Sequence, residues 1–220
     1  MKTRIILLIA LMFVGVQIVN AQDEQVYSTT MIEVPFSWAN SSNNGVEYSG
    51  PVRFAPFINI TNYVNVDFSE KAGLLAGLSV RNLGYIYDQD AATRIKVRSY
   101  NLGIPLGIKL GDMDKGFVYL GYEVEFPFNW QQKTFINEEK SKINKWFSDR
   151  TPIQQSVMIG LQLPYGANIK FKYYFSNFYN QDYTESDSNG NQVKPYENFE
   201  ANIFYISLNI YLLRNVAFYY

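Results

Sequence analysis

Eight segments of this chain alternate with a period of two, each with a bulky, unbroken apolar face and an opposite face of polar or small residues. The pattern is cleanest over residues 97–110, where Tyr100, Leu102, Ile104, Leu106, Ile108 and Leu110 face away from Asn101, Gly103, Pro105, Gly107 and Lys109. A period of two belongs to an extended strand, whose successive side chains leave opposite faces. Residues 117–130, FVYLGYEVEFPFNW, repeat it with Val118, Leu120, Tyr122, Val124 and Phe126 against Glu123 and Glu125. Six further segments, about 29–38, 52–66, 72–85, 153–163, 168–179 and 199–212, follow the same rule. No stretch longer than a turn or two keeps a helical period, although the polar segment 131–150 has room for a short amphipathic helix.

The connections alternate as well. Those after strands one, three, five and seven are long and polar, and those after two, four and six are tight. Up-and-down membrane barrels have this asymmetry, with an even strand number, short periplasmic turns and longer external loops. A soluble sandwich or a lipocalin-like carrier also alternates, with its apolar side as the core. Two features favour the membrane barrel. The apolar faces run for 10 or more residues, about the length a tilted strand needs to cross hydrocarbon. The polar faces are rich in glycine (Gly73, Gly77, Gly103, Gly107, Gly121, Gly160), as a crowded interior requires. The expected fold is therefore an all-β, eight-stranded antiparallel up-and-down transmembrane β-barrel, closed because an open edge in lipid would leave amides unpaired.

In that fold Glu33, Arg53, Arg81, Lys109, Glu123, Glu125, Lys170 and Lys172 point into the lumen. Opposite charges there must pair, because a lone buried ion bears a desolvation cost of several kcal/mol. A structural plug of salt bridges is the expected role, with an ion path or proton relay as the alternative. Aromatic residues gather near strand ends, and Trp38, Tyr85, Trp130 and Phe178 toward the loops, with Phe117, Tyr165, Phe218 and Tyr220 toward the turns, are expected to form interface girdles. Pro35, Pro56, Pro105 and Pro127 fall within proposed strands and call for bulges or lumenal water.

The amino terminus, MKTRIILLIALMFVGVQIVNAQ, has a basic start, an apolar stretch and small residues at Val19 and Ala21. It reads as a signal peptide over residues 1–21, cleaved to leave one exported domain, 22–220. Cysteine is absent, so neither disulfides nor a lipidated N-terminal cysteine can contribute. The chain carries 19 basic and 20 acidic residues without a basic run suited to nucleic acid. It has no histidine, which removes Ser-His pairs and imidazole metal sites. No catalytic residue, metal site or cofactor is expected. A barrel enzyme would have to use Glu123 with Glu125, whose spacing along one strand face is about 7 Å. The Asp187-Ser-Asn189-Gly190-Asn191 stretch lacks the remaining ligands of a calcium loop and reads as a turn.

The order of elements resembles the PorT-like family of small outer-membrane β-barrel proteins. Four features carry the resemblance: the leader ending NAQ, the SYNLGIPLGIKLG strand with its short acidic turn, the GFVYLGYEVEF strand, and the terminal ISLNIYLL strand. The resemblance implies a bacterial outer-membrane location and a terminal strand read by the barrel assembly machinery, for which Tyr220, Phe218 and Val216 have the right parity and Arg214 breaks the series. It carries no catalytic residues. Outer-membrane lipids are the expected surroundings. The expected role is structural, or ligand or partner binding through the external loops, with an accessory part in an envelope secretion or gliding apparatus as the alternative.

Overall fold

The computed structural model describes residues 25–137 and 139–218, with side chains up to Leu213. The leader assigned to 1–21 and the proposed girdle residue Tyr220 lie outside the described residues, and of Phe218 only the backbone is described. Eight long strands form the body: β1 (Gln25–Asn43), β2 (Ile60–Ser69), β3 (Ala72–Asp88), β4 (Thr93–Asp112), β5 (Gly116–Ile136), β6 (Gln154–Gln162), β7 (Ala167–Tyr174) and β8 (Phe199–Phe218). Each pairs antiparallel with its neighbours in sequence. β8 then returns to β1 in a ladder running from Asn43↔Phe199 to Val26↔Phe218. The sheet is a closed eight-stranded up-and-down barrel, and closure leaves no long unpaired edge.

Side-chain distribution is inverted relative to a water-soluble domain. Outward residues of β4 are half exposed and aliphatic (Leu102 45%, Ile104 44%, Leu106 54%, Ile108 47%, Leu110 54%), whereas Arg81, Lys109, Glu123 and Glu125 inside are 0% exposed. A charged group rarely enters a protein interior unless it is paired or hydrogen-bonded, and so large an exposed apolar surface signals contact with something other than water. Those five positions of β4 span eight residues of rise, about 26 Å along the strand, or about 20 Å along the axis at the usual 35–45° tilt. With the aromatic residues at either end this approaches the roughly 25 Å apolar band of membrane barrels.

Four details depart from the sequence reading. Of the segment 52–66 only residues 60–66 join the ladder, in a β2 that runs on to Ser69, with a short strand Arg53–Phe54 pairing further along β1. Residues 55–59 leave the sheet, around Pro56 and a left-handed Ile58 (φ 61°). The Asn59 side chain closes the gap: its Nδ2 donates to the Ala55 and Phe57 carbonyls (2.7 and 3.1 Å), and its Oδ1 accepts the Asn82 N–H of β3 (2.9 Å).

The described residues of 131–150 form no amphipathic helix. Glu139–Trp146 is a strand, paired with β5 from Asn129↔Trp146 to Ile136↔Glu139, so the connection is a β-hairpin standing on the barrel rim. β3 and β4 also run further than the periodicity indicated, which reduces the supposedly long third connection to residues 89–92.

Each of the four prolines finds its own solution. Pro56 lies in the excursion, and Pro127 sits beside a bulge that shifts the β4–β5 register between Tyr100 and Asn101. At Pro105 the β3–β4 ladder skips the steps that would pair it with Gly77 and Ile104 with Leu78. Pro35 turns its carbonyl toward the Ala55 N–H (3.2 Å), on the side where β2 has departed. A residue's N–H and C=O point the same way in an antiparallel strand, so the missing donor costs no ladder bond there.

Candidate functional site

Lumenal side chains come from the polar parity of every strand. β1 supplies Glu33, β3 Arg81, β5 Glu123 and Glu125, and β7 Lys170 and Lys172, and all six are buried. Arg81 touches all three carboxylates: Nη1 to Glu33 Oε2 at 2.5 Å, Nε to Glu125 Oε1 at 2.9 Å, and Nη2 to Glu123 Oε1 at 3.2 Å. Lys170 Nζ pairs with Glu33 Oε1 (2.5 Å), and Lys172 Nζ bridges Glu123 Oε2 (2.7 Å) and Glu125 Oε1 (2.6 Å). Three anions therefore meet three cations.

Neutral donors occupy the remaining lone pairs. Glu33 accepts from Thr61 (2.6 Å) and Tyr205 (2.7 Å), Glu123 from Ser79 (2.5 Å), and Glu125 from Asn101 (2.8 Å) and Tyr174 (2.6 Å). A buried ionic cluster is tolerable only when it is charge-balanced and each oxygen is satisfied. Gly103 makes the packing possible, since a Cβ there would strike Glu123 Oε1 and Ser79 Oγ. At Gly160 a Cβ would run into the Tyr119 ring.

Two of the eight expected network residues stand apart. Lys109 pairs with Asp67 nearer the turn end, beside Asn65 and the Tyr27 ring. Arg53 is buried in the wall where β2 has left, and donates to the Asn82 carbonyl (3.1 Å) and Oδ1 (2.5 Å), meeting no carboxylate among its described contacts. Asp67 was not singled out from sequence, although it shares the parity of Thr61 and Asn65 and could have been found by that rule.

Half of the proposed girdle is lumenal instead. Tyr85, Trp130, Phe178 and Phe117 are buried, so they cannot sit at a headgroup layer. Tyr85 shares the parity of Arg81, and Phe117 that of Glu123, which is why both turn inward. Trp130 has the outward parity, but the bulge at Pro127 reverses it and sets Trp130 opposite buried Ser99. Phe178 belongs to the loop before β8, which folds into the barrel mouth. Trp38 is outward and stacks on Phe204 (5.7 Å), and Tyr165 is fully exposed at a turn. A second outward aromatic row, on β4, β5 and the hairpin, consists of Tyr100, Phe128 and Trp146, with centroids 6.4 and 6.2 Å apart.

The mouth is closed by aromatic packing. Phe178 meets Tyr85 edge-on (5.8 Å), and Tyr179 lies between Tyr196 (4.5 Å) and Phe199 (4.6 Å). Arg150 pins the loop from the side, its guanidinium over Trp130 (4.9 Å) and Tyr183 (4.7 Å), bonded to Tyr196 OH (2.9 Å) and paired with Glu185. Asp187 closes a tight turn by accepting from the Asn189 and Asn191 N–H groups, both at 2.8 Å. The Asn191 backbone N–H above all holds its carboxyl below the usual value of 3.8.

No protein-family model and no curated protein sequence matches the chain. Among solved structures, the attachment invasion locus protein Ail of Yersinia pestis is 10% identical with a TM-score of 0.41, covering 87% of this chain and 99% of that one. Neisserial surface protein A is 10% identical with a TM-score of 0.37, covering 86% of this chain and 99% of its own.

Proposed function

We propose that this chain is an integral barrel protein of a bacterial outer membrane, sealed along its lumen, which acts as a structural element or binds partners through its loop end. One observation carries the reading: aliphatic side chains cover the outside of a closed ring whose inside buries a balanced ionic cluster. Lipid accommodates the first face and a sealed cylinder the second.

A lipocalin-like carrier would need the aliphatic face inside, and Leu102 to Leu110 point the other way. The buried cluster and the aromatic plug oppose open diffusion. Glu123 and Glu125 support no acid-base chemistry in this reading, since their oxygens are taken up by Arg81, Lys172, Ser79, Asn101 and Tyr174. The secretion-accessory alternative rests on the PorT-like resemblance alone.

The test is fractionation of the expressing cells followed by a denaturing gel with and without boiling. A heat-modifiable band in the outer-membrane fraction is expected. A band confined to the soluble periplasm, unchanged by boiling, would refute the reading.

A further inference from the structure

The outward face of β4 changes character once along its length. After the aliphatic run from Leu110 to Leu102 comes partly exposed Tyr100, and then Arg98, Lys96 and Arg94 at the same parity. The register extends these cations across three strands: Lys96↔Lys133↔Lys142 is a row of lysines, and Arg94↔Phe135↔Lys140 and Arg98↔Gln131↔Asn144 flank it. Neighbouring strands lie about 4.8 Å apart, so the lysine row is only about 10 Å wide.

Asp88 neutralises Arg94 at 2.6 Å, and Arg98 donates to Gln131 at 2.6 Å while lying over the Tyr100 ring at 5.2 Å. Lys96, Lys133 and Lys142 have no ion pair among the described residues. Like charges directly opposite one another destabilise a sheet, which makes the row unfavourable unless an external anion bridges it. On the far side of Ile86 the neighbouring stretch of rim carries the carboxylates Glu47 and Glu200 instead. An open groove of about 780 Å³ adjoins the row, with Ile86, Ala92 and Phe135 beside Arg94 and Lys96, and with Asp88 and Asp90 at its far side toward the 89–92 turn.

We propose that this wall of the rim binds the phosphate groups of anionic lipid headgroups in the leaflet at the loop end. The depth is the reason for choosing lipid: the cations begin one step beyond the Tyr100–Phe128–Trp146 row, where aromatic rings mark the headgroup layer. The groove takes the apolar shoulder of the headgroup while the lysines hold its phosphate. The proposal rests on reading the chain as a membrane barrel.

The test uses the mature chain refolded in neutral dodecyl maltoside micelles, titrated with phosphatidic acid or phosphatidylcholine, with bound lipids counted by native mass spectrometry. Wild type should retain phosphatidic acid at least about tenfold more tightly than phosphatidylcholine, and the triple variant Lys96→Gln/Lys133→Gln/Lys142→Gln should lose that preference, as expected for cations each acting on an anionic surface. Lys71→Gln/Lys115→Gln, at the turn end, should keep it. Excess inorganic phosphate should not displace the lipid. Equal retention by wild type and the triple variant, both heat-modifiable, would overturn the proposal, as would inorganic phosphate competing fully, which marks a soluble-anion site. Loss of heat-modifiable folding in every variant and in wild type would refute the membrane reading, and the headgroup site with it.

Discussion

Arg81→Met tests the lumen most directly, because among the described residues Arg81 alone is bonded to Glu33, Glu123 and Glu125 together. Removing it leaves three buried carboxylates with two lysines, an uncompensated negative charge in a space closed to water. Breaking a buried ion pair from one side costs about 3–5 kcal/mol, and this loss should fall in that range. Glu125→Gln should cost a comparable amount, for the opposite reason that one cation loses its counter-charge. Its new amide can be accommodated, since Asn101 Oδ1 has no hydrogen-bond partner and an amide flip would present it to the incoming donor. The double variant restores neutrality, so it should be more stable than the sum of the two losses implies, with a coupling of about 1–3 kcal/mol. Urea unfolding of the refolded barrel in lipid vesicles, followed by tryptophan fluorescence and checked by heat-modifiable mobility, measures all four corners of the cycle. Additivity within about 0.5 kcal/mol would show that Arg81 and Glu125 do not share one charge balance, and would refute the account of the lumen.

Three further outcomes follow from the same geometry. Arg150→Ala removes two ring contacts, the bond to Tyr196 and the pair with Glu185, so the loop 175–198 should open by about 2–3 kcal/mol, read as faster limited proteolysis within it while the barrel stays intact; an unchanged cleavage rate would discount Arg150 as the pin. Gly160→Ala forces the Tyr119 ring off its site against Asn168 and should cost about 1–3 kcal/mol, whereas the same change at Gly190, where nothing lies within 4 Å, acts only through its backbone φ of +85°. The Asp187 carboxyl has its value depressed in the folded loop, so its contribution to the turn is present above pH 3.8 and lost as pH falls through the lower folded value; hydrogen exchange at the Asn191 amide should rise only in that acidic window, and protection that is flat across it would contradict the turn.

Much of the fold was legible because strand parity is a local property of the backbone. Odd residues of β3, odd residues of β5 up to Pro127 and even residues of β7 each share a face within their strand, and that rule brings Arg81, Glu123, Glu125, Lys170 and Lys172 to the polar side. The aromatic girdle failed where the same rule was set aside in favour of position near a strand end, as Tyr85 and Phe117 show. Trp130 lay beyond parity, since a single-residue bulge reverses every face after it and leaves only Pro127 as a trace in the sequence. The strand at 139–146 was illegible for another reason: exposed on both faces, it has no apolar stripe to betray its period.

The sequence by itself determined that eight strands would have one greasy and one charged face, because alternation needs nothing but the geometry of an extended chain. Only the tertiary structure decided which charges meet. Closure of β8 on β1 carries Glu33 round to Arg81 and Lys170, and the β3–β4–β5 register sets Ser79, Gly103 and Glu125 in one row, so that the absent side chain of Gly103 leaves room for the Glu123 carboxylate. Those contacts join residues up to 172 positions apart, from Glu33 to Tyr205, and no local pattern encodes a distance that exists only once the ring has closed.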